Sequence, residues 1–535
     1  MKKQYGIFMV FWCLFTLAIG QKTLIYLDHS DRLEFDQERI PDCQILSGNV
    51  QFRHDDMLMY CDSAYFFDQK NHIVATGNIR INQADTLFIY GDRLYYDGNT
   101  KLAKLRYNVR LENKGATLYT DSLNYNRKQE IGYYFNGGRI VDNQNELVSI
   151  NGHYYPKLDW ATFQYDVVLT NPDFILTSDT LHYHTQTEVA TILGPSDIVY
   201  ADSTFIYSER GWYDTKQDLA ELTTHSHLND LEGHYIEADT LYYNHNTHLA
   251  EGFTNVLMQD SVQQIMIKGT YGWYNDSLKS ALITKIPTLI NYDKANTDTL
   301  FVTADTMYYA DNDSLSYIQA YHNVQAWHMD FQSLCDSAYY NNQDSVLSLY
   351  GTPILWNENN QYTGNTIHIY TVNGDIDRIL LNQNAFIFAI EDSTGINQVS
   401  GKEITGYMAN NKLYKAHVSG NAVSVYYVKE EEETEEETEA DPTYTGVNRA
   451  ESSDLVLYFT DKNSIQKIIM SPASNGTLYT PQKLNDKAIT RLAGFHDYNN
   501  IRPSSQTDIY RPKNKETLKA AQAANKVRTR RKQLY

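Results

Sequence analysis

The chain has 535 residues, a formal net charge of −21, 44 tyrosines and 11 prolines. That acidic balance argues against nucleic acid as a partner. The wealth of tyrosine, with almost no helix-period runs before the last fifty residues, predicts an all-β protein.

In chain order, residues 1–20 read as a signal peptide. Lys2 and Lys3 precede an apolar run from Ile7 to Ile19, which is short for a membrane span, and Ala18-Ile19-Gly20 supplies small residues for cleavage. Cys13 would leave with it, and no cysteine stands where a lipid anchor requires one. Cys43, Cys61 and Cys335 remain, either as a Cys43–Cys61 disulfide with one free thiol or as buried free thiols on strands. No later stretch is long enough to span a bilayer as a helix.

Residues 21–429 carry a repeat of about 30 residues. Its first mark is an acid before a Tyr-rich segment: Asp62-Ser-Ala-Tyr-Phe, Asp92-Arg-Leu-Tyr-Tyr, Asp121-Ser-Leu-Asn-Tyr, Asp179-Thr-Leu-His-Tyr, Asp239-Thr-Leu-Tyr-Tyr, Asp305-Thr-Met-Tyr-Tyr and Asp336-Ser-Ala-Tyr-Tyr. The second mark is an asparagine, as in Gly48-Asn49-Val50, Gly77-Asn78-Ile79, Asn108-Val109 and Asn255-Val256; Asp62 to Asn78, Asp92 to Asn108 and Asp239 to Asn255 each span 16 residues. Asn244-His-Asn246 and Asp97-Gly-Asn99 read as hairpin turns. After each asparagine, apolar and polar residues alternate, which predicts strands with one apolar face. The inward set on that parity is Val50, Phe52, Ile79, Ile81, Val109, Leu111, Val256 and Met258. The recurring Asp reads as a structural residue that organises a turn or caps a strand. Thr270-Tyr-Gly-Trp-Tyr274 keeps the period without its acid.

Residues 430–442 are read as an acidic disordered loop, because Glu430 to Glu439 holds eight Glu and two Thr. Final strands over 443–480 include Asp454-Leu-Val-Leu-Tyr-Phe459, and 481–535 form a basic, partly helical or disordered tail with nine Lys or Arg from Arg511 onward.

Searching for chemistry finds no Gly-rich phosphate loop, HExxH, GxSxG or paired CxxC. His182 with His184, and His225 with His227, share strand faces but lack a third ligand, so no metal, catalytic residue or cofactor is expected. A carbohydrate-active β-helix would need acids that break the period at one place, whereas these follow it.

The repeated Asp-x-Leu-Tyr-Tyr, the turn, and then Gly-Asn-Val with alternating apolar residues resemble the OstA or LptA-like family of lipopolysaccharide-transport proteins, over about residues 40 to 430 with a weaker continuation to about 460. The resemblance implies an elongated antiparallel β-jellyroll, open in cross-section like a taco, whose apolar interior holds lipid A acyl chains. It implies a periplasmic, non-enzymatic protein bridging jellyroll components at the inner and outer membranes, with association with the outer membrane and end-to-end self-association as variants. The docking edges are expected near Gln44 to Arg53 and near Asp454 to Phe459. The chain is longer than a single-jellyroll member of the family. The alternative reading is a structural or adhesive β-solenoid at the cell surface.

Overall fold

The computed structural model describes residues 23–511 apart from 202, 293–298, 313–314, 373–374, 393, 410–411, 430–443 and 461–464. The expected signal peptide, the acidic loop and the tail beyond Arg511 lie outside the described residues. The chain is an antiparallel β-jellyroll in two compact units, one reaching to Ile198 with Asp214–Lys216, the other formed by Val199–Tyr213 and Gln217 onward.

The first unit is built from strands of eleven or twelve residues, among them Gln44–His54, Met57–Phe67, His72–Gln83, Leu87–Asp97, Leu102–Asn113 and Ala116–Asn126, each antiparallel to the next. The second repeats the scheme with Leu219–Asn229, His234–Asn244, Leu249–Asp260 and Ile265–Asn275, and later with Asp375–Ile390, Ile396–Ala409, Lys412–Lys429 and Tyr444–Phe459.

Both sequence marks fall in mid-strand, which corrects the expectation that the Asp caps a strand or sits in a turn. Gly77 and Asn78 adopt φ of 78° and 45°, and the register shifts there, so two residues on this strand oppose one on each neighbour, Asp62 and Asp92. This is a β-bulge in left-handed backbone, where Gly and Asn are favoured. The Asp carboxylate closes the corner by accepting from the Asn side chain: Asn78 Nδ2 to Asp62 Oδ2 at 2.8 Å, Asn108 to Asp92 at 2.6 Å, Asn255 to Asp239 at 2.9 Å, Asn323 to Asp305 at 2.8 Å. The strands that carry such a pair therefore bend there, each contributing one half to each of two facing walls.

The bend also explains the burial. In Met57–Phe67 the inward residues are Met57, Met59 and Cys61 before the corner and Ala64 and Phe66 after it, so the inward parity changes across Asp62. In Asp-x-Leu-Tyr-Tyr the second tyrosine, such as Tyr96, is buried, and the first, Tyr95, is exposed.

The expected docking edges are not edges. Gln44–His54 is covered by Tyr26–His29 and Arg32–Phe35, and Tyr444–Phe459 by Ile465–Ser471 and Asn475–Tyr479. The first two strands are one bent strand split at Asp31, whose Oδ2 accepts from Asn49 at 2.9 Å. They escaped the sequence reading because each is only four residues long and no Tyr-rich segment follows Asp31.

Asp239→Asn keeps an oxygen to accept from Asn255, so the urea midpoint should stay near wild type, whereas Asp239→Leu should lose about 1 kcal/mol. Gly77→Ala should lose about 1–2 kcal/mol from left-handed strain alone, and more because its Cβ would lie 2.4 Å from Asp62 Oδ2. A silent Gly77→Ala would contradict this account of the corner.

Candidate functional site: the apolar interior

The corners place residues one and three positions after each asparagine between the walls. Val50, Phe52, Ile79, Ile81, Val109 and Leu111 in the first unit, and Val256 and Met258 in the second, are all buried, none more than 8% exposed. The facing wall contributes residues two and four positions after each Asp, such as Leu94 and Tyr96 or Leu241 and Tyr243. The walls meet directly: the rings of Phe52 and Phe66 lie 5.4 Å apart, edge to face.

In the first unit this interior is filled, and its far side is closed by a seam of tyrosine hydroxyls. The Tyr96 hydroxyl lies 2.6 Å from His54 Nδ1, Tyr125 donates to Gln83 Oε1 at 3.1 Å, Asn113 Nδ2 donates to the Tyr154 oxygen at 3.0 Å, and Tyr183 donates to Asp142 Oδ2 at 3.1 Å. Each bond joins the end of one wall to the end of the other, where the resemblance implied an open mouth. Burial pushes the Tyr96 and Tyr154 hydroxyls up to about 12, so they stay protonated. His54 is buried, and its pKa is lowered, first by burial and then by Arg127 and Lys101 against the opposing pull of Asp55.

The second unit holds an apolar cavity of about 70 Å³ between its walls, lined by Ile236, Met258, Ile265, Ile267, Ala281 and Ile318, with His234, Asp260, Gln263, Tyr274 and Tyr309 also contributing. Gly272 stands two residues after Thr270, at the repeat position that Leu94, Leu123 and Leu241 fill elsewhere. A Cβ there would lie 2.9 Å from Met258 Cε, so the thioether has moved into part of the vacated space. Ile265 and Ile267 are only half-buried.

Among the described residues, one group has metal-binding spacing: Asp230, His234 and Asp276. Its donors are already engaged, His234 Nδ1 with Asp230 at 2.7 Å and Asp276 with Lys279 Nζ at 2.7 Å and the Tyr274 hydroxyl at 3.0 Å. It is a neutralised polar cluster beside the cavity. The histidine pairs of the sequence do not converge either. His182 and His184 stand edge-on to Trp160, and His227 stacks between Tyr207 and Tyr235. Cys43, Cys61 and Cys335 are free and buried, as the second of the two sequence readings had it, and burial pushes the Cys61 thiol up to about 12. The sequence reading missed the tyrosine seam and the Gly272 gap. The polar residues that end the inward runs, His54, Gln83 and Asn113, were the available signal for the seam.

Residues 22–179 match the family model described as OstA-like protein. Among solved structures, the chain is similar to LptH of Pseudomonas aeruginosa, described as the LptA homologous periplasmic component of the lipopolysaccharide transport device. The two are 14% identical, over 28% of this chain and 92% of that one, at a TM-score of 0.20, too low to bear on the fold. No curated protein matches.

A histidine whose pKa is lowered by folding binds its proton more readily in the unfolded chain, so stability falls as pH drops below about 6.5. The urea midpoint should decline from pH 7.5 to 5.5, and His54→Gln should make the decline shallower. An unchanged slope would contradict the buried, neutral His54.

Proposed function

We propose that this chain, an OstA-like protein across residues 22–179, binds lipopolysaccharide by its acyl chains in the periplasm and passes it toward the outer membrane, without catalysing a reaction. The observation that carries this reading is the interior. Two bent walls present apolar side chains at fixed intervals, and the second unit leaves an apolar cavity unfilled.

The magnitudes favour such a carrier. About ten methylenes removed from water gain ~8 kcal/mol, at ~0.8 each. Opening one buried polar hydrogen bond costs about 1–3 kcal/mol. An acyl chain that enters the cavity beside Met258 and Ile267 therefore gains more than the loss of one such bond costs. Similar side chains at each repeat leave no deep well to trap it. The exposed strands Tyr26–His29 and Arg32–Phe35, with Tyr26, Leu33 and Phe35 each more than half exposed, form the edge that receives a jellyroll partner. This replaces the Gln44–Arg53 edge expected from sequence.

Photo-crosslinking residues at Met258 and Ile267 should capture lipopolysaccharide, and those at Leu257 and Lys268, on the opposite face, should not. The same contrast should hold at Ile79 and Ile81 against Arg80 if lipid travels through the first unit. Equal labelling of both parities, or none, would favour a filled structural solenoid instead.

A further inference from the structure

The outer surface of the late strands is unlike that of the first unit. There, a row running straight across the strands alternates Tyr60, Arg80, Tyr90, Arg110, Tyr119 and Arg139, with guanidiniums over tyrosine rings, 4.4 Å from the centroid for Arg110 on Tyr90. In the second unit the outward row reads Trp327, Gln332, Trp356, Gln361, Phe388, Gln398 and Val425, each residue directly opposite the next. Glutamines alternate with large apolar side chains, and Trp356 is fully buried.

What buries this face is the chain's own C-terminal segment. After Tyr479 the chain turns back and runs over the strands in reverse order, through short helical turns and without joining any strand ladder. Leu492 packs on Phe386, Phe388, Val425 and Val447, and Tyr498 and Ile501 pack on Leu334, Ile354 and Trp356. Two glutamines grip its backbone. Gln398 donates to the Thr490 carbonyl at 2.8 Å and accepts from the Leu492 N–H at 3.0 Å; Gln361 donates to the His496 carbonyl at 2.8 Å and accepts from the Tyr498 N–H at 2.9 Å. Farther on, Gln325 donates to the Arg511 carbonyl at 2.9 Å, and Thr303 to that of Ile509 at 3.0 Å. The described chain thus ends beside Thr303 and Gln325.

We propose that this outer face is a docking groove for an extended peptide, and that residues 484–511 are its resident, detachable ligand. Each glutamine clamp holds the carbonyl of one residue and the N–H of the residue two places on, which recognises extended backbone whatever the side chain. The apolar residues between the clamps supply the affinity, taking Leu492, Tyr498 and Ile501 in this chain. The segment can leave without breaking a strand pair, and the face it uncovers is a contiguous apolar surface fitted to a peptide of the same pattern, a leucine or aromatic anchor beside each clamped stretch.

The test uses the full chain. Leu492→Asp with Tyr498→Asp should release the segment, so that trypsin cuts at Lys487 and Arg491 faster than in wild type while the circular dichroism of the sheet is unchanged. A fluorescent peptide of residues 481–511 should then bind this variant at least about tenfold more tightly than wild type, whose groove is occupied. Adding Gln361→Ala and Gln398→Ala should abolish that binding. In the otherwise wild-type chain, the two glutamine changes alone should also speed cleavage at Lys487, which keeps the test valid if the Asp variant does not fold. Unchanged trypsin sensitivity in both variants, no peptide binding to a released chain, or equal binding with and without the glutamines would each overturn the proposal.

Discussion

The structure depends on the hydrogen bond between the repeated Asp carboxylate and the Asn side chain at a left-handed bulge. One such bond, exposed to solvent, is worth about 1 kcal/mol. It recurs at Asp31, Asp62, Asp92, Asp239 and Asp305. Each fixes where a strand, or two short strands in line, bends, and so decides which side chains enter the space between the walls. A one-residue slip would turn the apolar set to solvent, so the corner sets register as well as shape.

Everything between the walls follows from those corners. Where the inward positions carry Leu, Ile, Phe and Tyr, the interior packs shut and tyrosine hydroxyls tie its far side. Where Gly272 stands in place of the leucine of the repeat, Met258 leans over it, and the second unit keeps a small apolar cavity beside Met258. On the proposed function, lipid uptake would exchange side-chain contacts for acyl-chain contacts without creating a new surface.

Much of this was legible in the sequence because it rests on short-range chemistry. The 16-residue offset from Asp to Asn and the two-residue alternation after Asn gave the all-β class, the repeat and the inward parity of Val50 through Met258. Spacing alone did not show that Asp62 and Asn78 face each other across a bulge, so the Asp was assigned to turns and caps. The tyrosine seam joins residues about 40 positions apart, such as His54 and Tyr96, so the polar ends of the inward runs signalled it without showing which tyrosine each one meets. The C-terminal segment was read by composition as a tail, because its anchors Leu492, Tyr498 and Ile501 are irregularly spaced and its backbone is held by glutamines more than 90 residues away in sequence. The edge strands at Tyr26–Phe35 were missed because they are short and interrupted.

The central claim, that the corner-defined interior takes up acyl chains, is tested most directly by native mass spectrometry of the full protein purified from the periplasm without detergent. The account predicts a population heavier by one lipopolysaccharide or lipid A molecule, and its loss when Ala281→Leu fills the cavity, with the fold retained. A lipid-free spectrum, or a bound lipid that persists in the filled variant, would contradict it.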